Sequence, residues 1–281
     1  MKTIILFYQF KKIENPIKLR KEQLELCNKL NLKGKLLIAK EGINGSFSGT
    51  KQQIAKYKSN LKKQFKDIEF KEETALDHPF NKLEIKVKNE IIRMDKKLNM
   101  NNIGKHISPK EFLKLSKNKE VVILDARNNY ESDAGKFKNA VTPDIDSFRE
   151  FPNFVDNMKI SKDTPIAMYC TGGIRCEKAS AYMIQQGFKN VSQLHGGIIN
   201  FCQKLPNTIW EGTCFVFDKR LTSNVGQKEN PISPCIHCKI KSDQYTNCKV
   251  KTCNKRIFIC PDCQKSQHNC CSINCKNKLL K

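Results

Sequence analysis

This chain reads as a mixed α/β protein in three parts, and three observations say so. The first hundred residues carry a strand–helix–strand–strand–helix–strand order, the middle alternates strands and helices, and nine of the fourteen cysteines crowd between Cys235 and Cys275. At 281 residues the chain exceeds one ordinary domain,. The expected boundaries are 1–100 for a basic α+β domain, 101–205 for a parallel α/β domain, 206–234 for a connector and 235–281 for a cysteine-rich zinc-binding module.

In the first part, apolar runs at Ile4 to Phe10, Leu36 to Ala39 and Leu83 to Val87 predict strands, with shorter ones near Ser46 to Ser48 and Ile68 to Phe70,. One helix follows the cap Asn15 and the first-turn proline Pro16; a second follows Thr50,. This order is the ferredoxin-like arrangement. The Asn44-Gly45 pair predicts a hairpin turn.

The polar stretch from Lys96 to His106 predicts a linker. Ser108-Pro109-Lys110-Glu111 then forms a capping box that opens a helix,. Strands are expected at Val121 to Leu124, Ile166 to Tyr169 and Val191 to Gln193. Helices are expected near Asn129 to Ala134, Ser147 to Met158, Glu177 to Gln186 and Ile198 to Lys204. Alternation of this kind builds a parallel sheet covered by helices.

The most specific local signal is Cys170-Thr171-Gly172-Gly173-Ile174-Arg175-Cys176-Glu177, between an apolar strand and a helix. The N–H groups of Thr171, Gly172, Gly173 and Ile174 are expected to curl into an anion nest. The helix N-terminus adds positive dipole and Arg175 adds full charge. All three lower a thiol pKa and favour a thiolate or persulfide at Cys170. The bland alternative is a buried cysteine ending a strand. Cys176 has two readings as well: a thiol that resolves a disulfide or persulfide on Cys170, or a packing residue. Cys27, Cys202 and Cys214 are expected in the core.

The tail spacing is Cys235-x2-Cys238, Cys248-x4-Cys253, Cys260-x2-Cys263 and Cys270-Cys271-x3-Cys275. Two Cys-x2-Cys knuckles separated by 21 residues match a four-thiolate zinc site, and the remaining cysteines suffice for a second,. About two structural zinc ions are expected, because so short a segment with few large apolar residues needs metal to fold.

Formal charge is +23. Residues 1–100 hold 23 basic and 12 acidic groups (+11), residues 101–231 hold 18 and 14 (+4), and residues 232–281 hold 10 and 2 (+8). A basic surplus flanking a nearly balanced middle points to a polyanionic partner. The opening MKTIILFYQFKK lacks a signal-peptide cleavage site, and no apolar run approaches the roughly 20 residues that span a bilayer,. A cytoplasmic location without membrane contact is therefore expected, and it agrees with thiol and metal chemistry in a reducing compartment.

The Cys170 loop resembles that of the rhodanese domain, in which four residues separate cysteine from arginine. Supporting landmarks are Asp125-Ala126-Arg127, Glu131, Gly135 and Leu194-His195-Gly196-Gly197, while Lys136 stands where such domains often carry histidine. Phosphatase loops of related shape place five residues there, and the shorter loop suits a sulfur-sized anion.

Over nearly its whole length the chain resembles the oxygen-dependent tRNA uridine hydroxylases. The likeness rests on Ala39-Lys40-Glu41-Gly42-Ile43-Asn44-Gly45, Tyr169 through Ser180, Phe215-Val216-Phe217-Asp218 and the cysteine tail. That resemblance implies tRNA as partner, dioxygen as co-substrate and 5-hydroxyuridine at the wobble position as product. It also implies an RNA-facing role for Lys40, Glu41, Gly42 and Asn44. No flavin fingerprint and no two-histidine-one-carboxylate set is evident, so no redox metal is expected. A sulfurtransferase passing sulfur from Cys170 and a non-catalytic RNA- or protein-binding module remain the alternatives. Oligomeric state is not legible in the sequence.

Overall fold

The computed structural model describes residues 1–228 and 230–280, so Glu229 of the connector and the terminal Lys281 lie outside the described residues. The chain divides into two compact units, Met1–Leu98 and Asn99–Lys281.

In the first unit, β1 (Lys2–Phe10), α1 (Pro16–Lys29), β2 (Lys33–Ala39), β3 (Gly42–Gly49), α2 (Lys51–Gln64), β4 (Glu69–Ala75) and β5 (Leu83–Val87) follow one another. The sheet order is β4-β1-β3-β2-β5, the ferredoxin-like core with β5 added parallel to β2. Both helices start where the caps predict. Asn15 accepts a hydrogen bond from the Lys18 N–H, and Thr50 forms a reciprocal capping box with Gln53,. Phe7, Phe47 and Tyr57 are fully buried at the core, and the Tyr57 hydroxyl donates to Gln23 at 2.9 Å, joining α2 to α1.

The Asn44-Gly45 hairpin expectation is corrected. The two-residue turn is Lys40-Glu41, with Ala39 paired to Gly42, and Asn44 and Gly45 lie inside the central strand β3. Packing decides this: a Cβ on Gly45 would sit 2.8 Å from both Leu36 Cδ1 and Phe7 Cζ, so the glycine admits two core side chains.

The second unit opens with β6 (Lys105–Ile107), α3 (Pro109–Leu115), β7 (Val122–Asp125), α4 (Asn129–Ala134) and β8 (Gly135–Phe137). A 3-10 turn at Phe148–Glu150 leads into α5 (Phe151–Asp156), then β9 (Ile166–Tyr169), α6 (Ile174–Gln185), β10 (Val191–Leu194) and α7 (Gly197–Lys204). The parallel sheet runs β6-β10-β9-β7. Its edge strand β6 corrects the linker expectation, which covered Lys105 and His106. An exposed three-residue edge strand carries no apolar alternation for a sequence pattern to detect,.

The connector carries three short strands, β11 (Trp210–Gly212), β12 (Cys214–Phe215) and β13 (Thr222–Ser223). β11 pairs antiparallel with β8, which binds the connector to the α/β domain. The cysteine-rich segment contains the hairpin β14 (Tyr245–Asn247) and β15 (Arg256–Phe258), then α8 (Pro261–Ser266) and α9 (Ile273–Leu280). Its apolar core is small, centred on Ile257 and Ile259.

Candidate active site and metal centres

Cys170 follows β9 at the carboxyl edge of the parallel sheet, where strand ends open a crevice,. The glycines let the chain turn at once into α6: Gly173 has φ of +106° and caps the helix,. That helix starts at Ile174, three residues before the sequence pattern suggests, and so brings Arg175 and Cys176 into its first turn. The Gly173 N–H points at Cys170 Sγ, 3.1 Å away. From the far side, the turn after β10 braces the loop, with the Ile198 N–H donating to the Cys170 carbonyl at 3.0 Å. Gly197 is required there, since a Cβ would meet that carbonyl oxygen at 2.4 Å.

Burial alone raises the Cys170 thiol. Against it act a hydrogen bond from the Cys176 side chain, the charge of Arg175 and the N–H groups of Cys176 and Arg175, which together bring it down to about 6,. Cys176 shifts the opposite way, raised by burial and by its hydrogen bond to Cys170. The pair therefore shares one proton, held on Cys176, beside a thiolate at Cys170.

Arg175 does not rely on the thiolate for its position. Burial opposes its charge, but Glu131 grips the guanidinium through two bonds of 2.5 and 2.8 Å and keeps it ionised,. Thr171 Oγ1 accepts a further bond at 3.3 Å. Glu131 comes from the first turn of α4, where its Oε1 also accepts from the Asn128 N–H at 3.2 Å. A second buried pair stands beside it. Arg127 bonds both Asp125 oxygens, reaches the Gly135 carbonyl at 2.6 Å, and lies near the rings of Tyr169 and Trp210. Strand end, helix and connector are thus locked around the loop.

Cys170 is fully buried, with no exposure in this conformation. Any substrate reaches the sulfur only when the surrounding packing opens. Phe217 of the connector, 56% exposed, lies with its ring 5.9 Å from the Arg175 guanidinium. His106 bonds Glu177 at 3.1 Å and packs its ring against His195.

The tail brings sulfurs together in two groups of four, Cys235, Cys238, Cys260 and Cys263, and Cys248, Cys253, Cys271 and Cys275, each with all sulfurs within 4.8 Å of one another. Neighbouring sulfurs lie 3.5 Å apart at Cys238–Cys260 and 3.6 Å at Cys253–Cys271. A tetrahedral ion with bonds of about 2.3 Å sets its ligands about 3.8 Å apart, so the donor sets fit a metal. Their ionisation agrees. Burial raises Cys235, but the N–H groups of Cys238, Cys260 and His237 bring it down to about 6, while burial and the thiols of Cys260 and Cys238 push Cys263 up to about 12. A divalent cation would ionise all four. Cys270 stands outside both groups; it is fully buried, and its thiol faces the His268 carbonyl.

Of the first-unit residues singled out in the sequence, Lys40 is exposed in the turn. Glu41 Oε1 accepts from the Ile91 N–H at 2.7 Å and Asn44 Nδ2 donates to the Ile91 carbonyl at 3.0 Å, so these two side chains clasp the segment after β5. Gly42 allows the close approach of β1, since a Cβ would lie 2.2 Å from the Gln9 carbonyl oxygen. In the sequence Glu131 and Gly197 stand only as landmarks of the rhodanese resemblance, with no role at the site. The Asn128-x-x-Glu131 capping spacing was the available signal for the first, and the Gly-Gly after β10 for the second.

Fold and site together define an enzyme of the rhodanese type, with a cysteine at the rhodanese loop position and an appended cysteine-rich module whose two sulfur groups could each hold a metal ion. Family models match along the chain: a UPF0176 acylphosphatase-like domain at residues 2–91, a rhodanese-like domain at 108–204 and a rhodanase C-terminal region at 211–276. Relatives named tRNA uridine(34) hydroxylase are 40% identical in Bacillus cereus (strain B4264), over 97% of this chain and 88% of theirs, and 39% identical in Bacillus cytotoxicus, over 97% and 87%. The chain belongs to the tRNA uridine(34) hydroxylase family. Among solved structures, a rhodanese-like domain from Anabaena sp. aligns with 39% of this chain and 80% of its own at 20% identity and a TM-score of 0.33. Among the described residues, no helix is long and apolar enough to cross a membrane.

Proposed function

We infer that this chain hydroxylates carbon 5 of uridine 34 in tRNA, with Cys170 as nucleophile and dioxygen as oxidant. The observation that carries the reading is the Cys170 sulfur, held ionised at a strand end by loop N–H groups, Arg175 and the Cys176 thiol.

Carbon 5 of uracil is a weak nucleophile. Addition of the Cys170 thiolate to carbon 6 moves electron density onto carbon 5 and the carbonyl oxygen at carbon 4, giving an enolate that attacks an electrophilic oxygen. The positive charge of Arg175 and the loop N–H groups stabilise the charge that develops. Loss of the carbon-5 proton and departure of the sulfur then restore the ring double bond and the thiolate. One oxygen atom enters the base; the other leaves as water, with two electrons and two protons drawn from a reductant.

Zinc is the ion we assign to both four-sulfur groups, since all-thiolate tetrahedral sites are characteristic of it. With four protein ligands each, these sites are closed and structural. The basic surplus of residues 1–100 and 232–281 supports tRNA as the partner, and such a substrate places the work in the cytoplasm,. Lys40, exposed in its turn, is the residue of the first-unit motif offered to RNA.

The test is mass spectrometry of wobble nucleosides after incubating the purified chain with unmodified tRNA under labelled dioxygen. Label in 5-hydroxyuridine is expected. Label from water overturns the oxidant. Turnover of thiosulfate with no change in tRNA nucleosides hands the loop to sulfur transfer instead.

A further inference from the structure

A groove of about 500 Å³ runs between α4–β8 of the rhodanese-type domain and the cysteine-rich module, and the reaction chemistry above does not use it. Its walls combine rings and cations. Tyr130 stands on one side, Tyr245 and Phe258 on the other, and Lys136, Lys239 and Arg256 lie around them. The Arg256 guanidinium stacks over the Tyr130 ring at 3.9 Å, while its residue remains exposed, so a flat cation is held ready on an aromatic support,. Among the described residues none of these three cations makes an ion pair, and Asp133 is the one carboxylate in the lining. The Tyr245 hydroxyl, buried in the wall, has no hydrogen-bond partner among the described residues,.

The groove is also tied to the reactive loop. Tyr130 precedes Glu131, the carboxylate that grips Arg175. Rings then step back to the site: Tyr130 to Phe215 at 5.2 Å, Phe215 to Phe217 at 5.1 Å, and Phe217 to the Arg175 guanidinium at 5.9 Å. Cations outside any ion pair, the Lys239 ammonium bonded only to the Ile236 carbonyl at 3.1 Å, beside aromatic and guanidinium surfaces are what single-stranded RNA requires, the cations for phosphate and the flat faces for a base,. An acidic peptide would use the cations but leave the stacking surfaces without a matching group.

We propose that this groove binds a nucleotide flanking the target uridine in the substrate RNA, its base stacked on the Arg256–Tyr130 platform and its phosphate held by Lys136 and Lys239. The assignment rests on the reaction proposed above for the identity of the RNA. It adds a site at which the cysteine-rich module shares in substrate recognition, in addition to folding around its metals.

The test measures binding of an anticodon stem-loop RNA to the full chain by fluorescence anisotropy, with hydroxylation kinetics alongside. Arg256→Leu and the double variant Lys136→Ala/Lys239→Ala are compared with the parent, each checked for unchanged metal content. Each should weaken binding and raise KM by about 5- to 50-fold, the range base stacking and phosphate contacts give, with kcat held within about twofold. An abasic residue at one flanking loop position should cost the parent a similar factor and cost Arg256→Leu almost nothing more. Unchanged affinity in both variants, losses that multiply at every flanking position, or displacement of the hairpin by polyglutamate as readily as by polyuridylate overturns the groove assignment. Groove coupling without hydroxylation sinks the proposed reaction alone; a parent chain that binds no hairpin sinks both.

Discussion

Cys170 and the tail cysteines are the same residue in two electrostatic settings, and the contrast explains the division of labour in this molecule. Around Cys170 the protein itself supplies the positive field, through Arg175, the loop N–H groups and the thiol of Cys176, so one sulfur is ionised at neutral pH without help. In the tail, four sulfurs share each site and oppose one another. Cys235 is lowered while Cys263 is driven up to about 12, and complete ionisation calls for a cation between them. A lone thiolate in a fixed nest suits the role of reagent proposed for Cys170, and a quartet of thiols suits that of a ligand set.

The largest test of that contrast is to remove the reagent. Cys170→Ser should lower hydroxylation by on the order of 10³ or more, because a hydroxyl is not ionised by the same nest, while hairpin affinity stays within about twofold. Nucleoside mass spectrometry and anisotropy measure the two. Residual activity within tenfold of the parent would move the nucleophile elsewhere.

Metal removal addresses the other region. A chelator should abolish amide protection across residues 235–275, since apparent zinc binding of roughly 10–16 kcal/mol supplies the folding energy of such segments, while protection in Met1–Leu98 persists,. Hydrogen exchange followed by mass spectrometry reads both at once. Retained protection in the tail after the metal is gone would mean that its small apolar core suffices.

A smaller effect is expected at Glu131. Glu131→Gln leaves the buried Arg175 with a weaker partner, and breaking such a pair costs about 3–5 kcal/mol,. The sign at Cys170 is the sharper readout: with less negative charge on Arg175's far side, the thiol pKa should fall further. Thiolate absorbance against pH tests it, and a rise would mean that Glu131 acts chiefly by orienting the guanidinium.

For the parent enzyme, the thiolate near pKa 6 predicts a rate that is half-maximal there, levels off above about pH 7, and falls tenfold per pH unit well below that value as acid protonates Cys170,. Cys176→Ala removes a hydrogen bond to the thiolate and should move this limb upward. An unmoved limb would reduce Cys176 to packing. The smallest effect concerns two adjacent residues. Cys271→Ser should lose one metal per chain, and Cys270→Ser none, as metal analysis of the two proteins would establish.

Much of the architecture was legible because local signals agreed with the final packing. The caps at Asn15, Thr50 and Ser108 marked helix starts, and the apolar runs Ile166 to Tyr169 and Leu83 to Val87 match β9 and β5 end to end. The failures share a cause. Asn44-Gly45 has the composition of a turn but occupies a central strand, because two core side chains need the space above Gly45. The strand at Lys105–Ile107 is polar and short, and it exists only because β10 offers it an edge.

By itself the sequence determined the local signals: a cysteine, two glycines and an arginine between strand and helix, a basic surplus at both ends, and cysteine spacings that match metal knuckles. These are properties of neighbours along the chain, and local geometry carries them directly. Tertiary structure alone decided which partners meet across long separations: Glu131 with Arg175, Cys248 and Cys253 with Cys271 and Cys275, and the rings of the connector with the groove beside the tail. Such pairings depend on how separate elements pack, and residue spacing within any one of them holds no record of it.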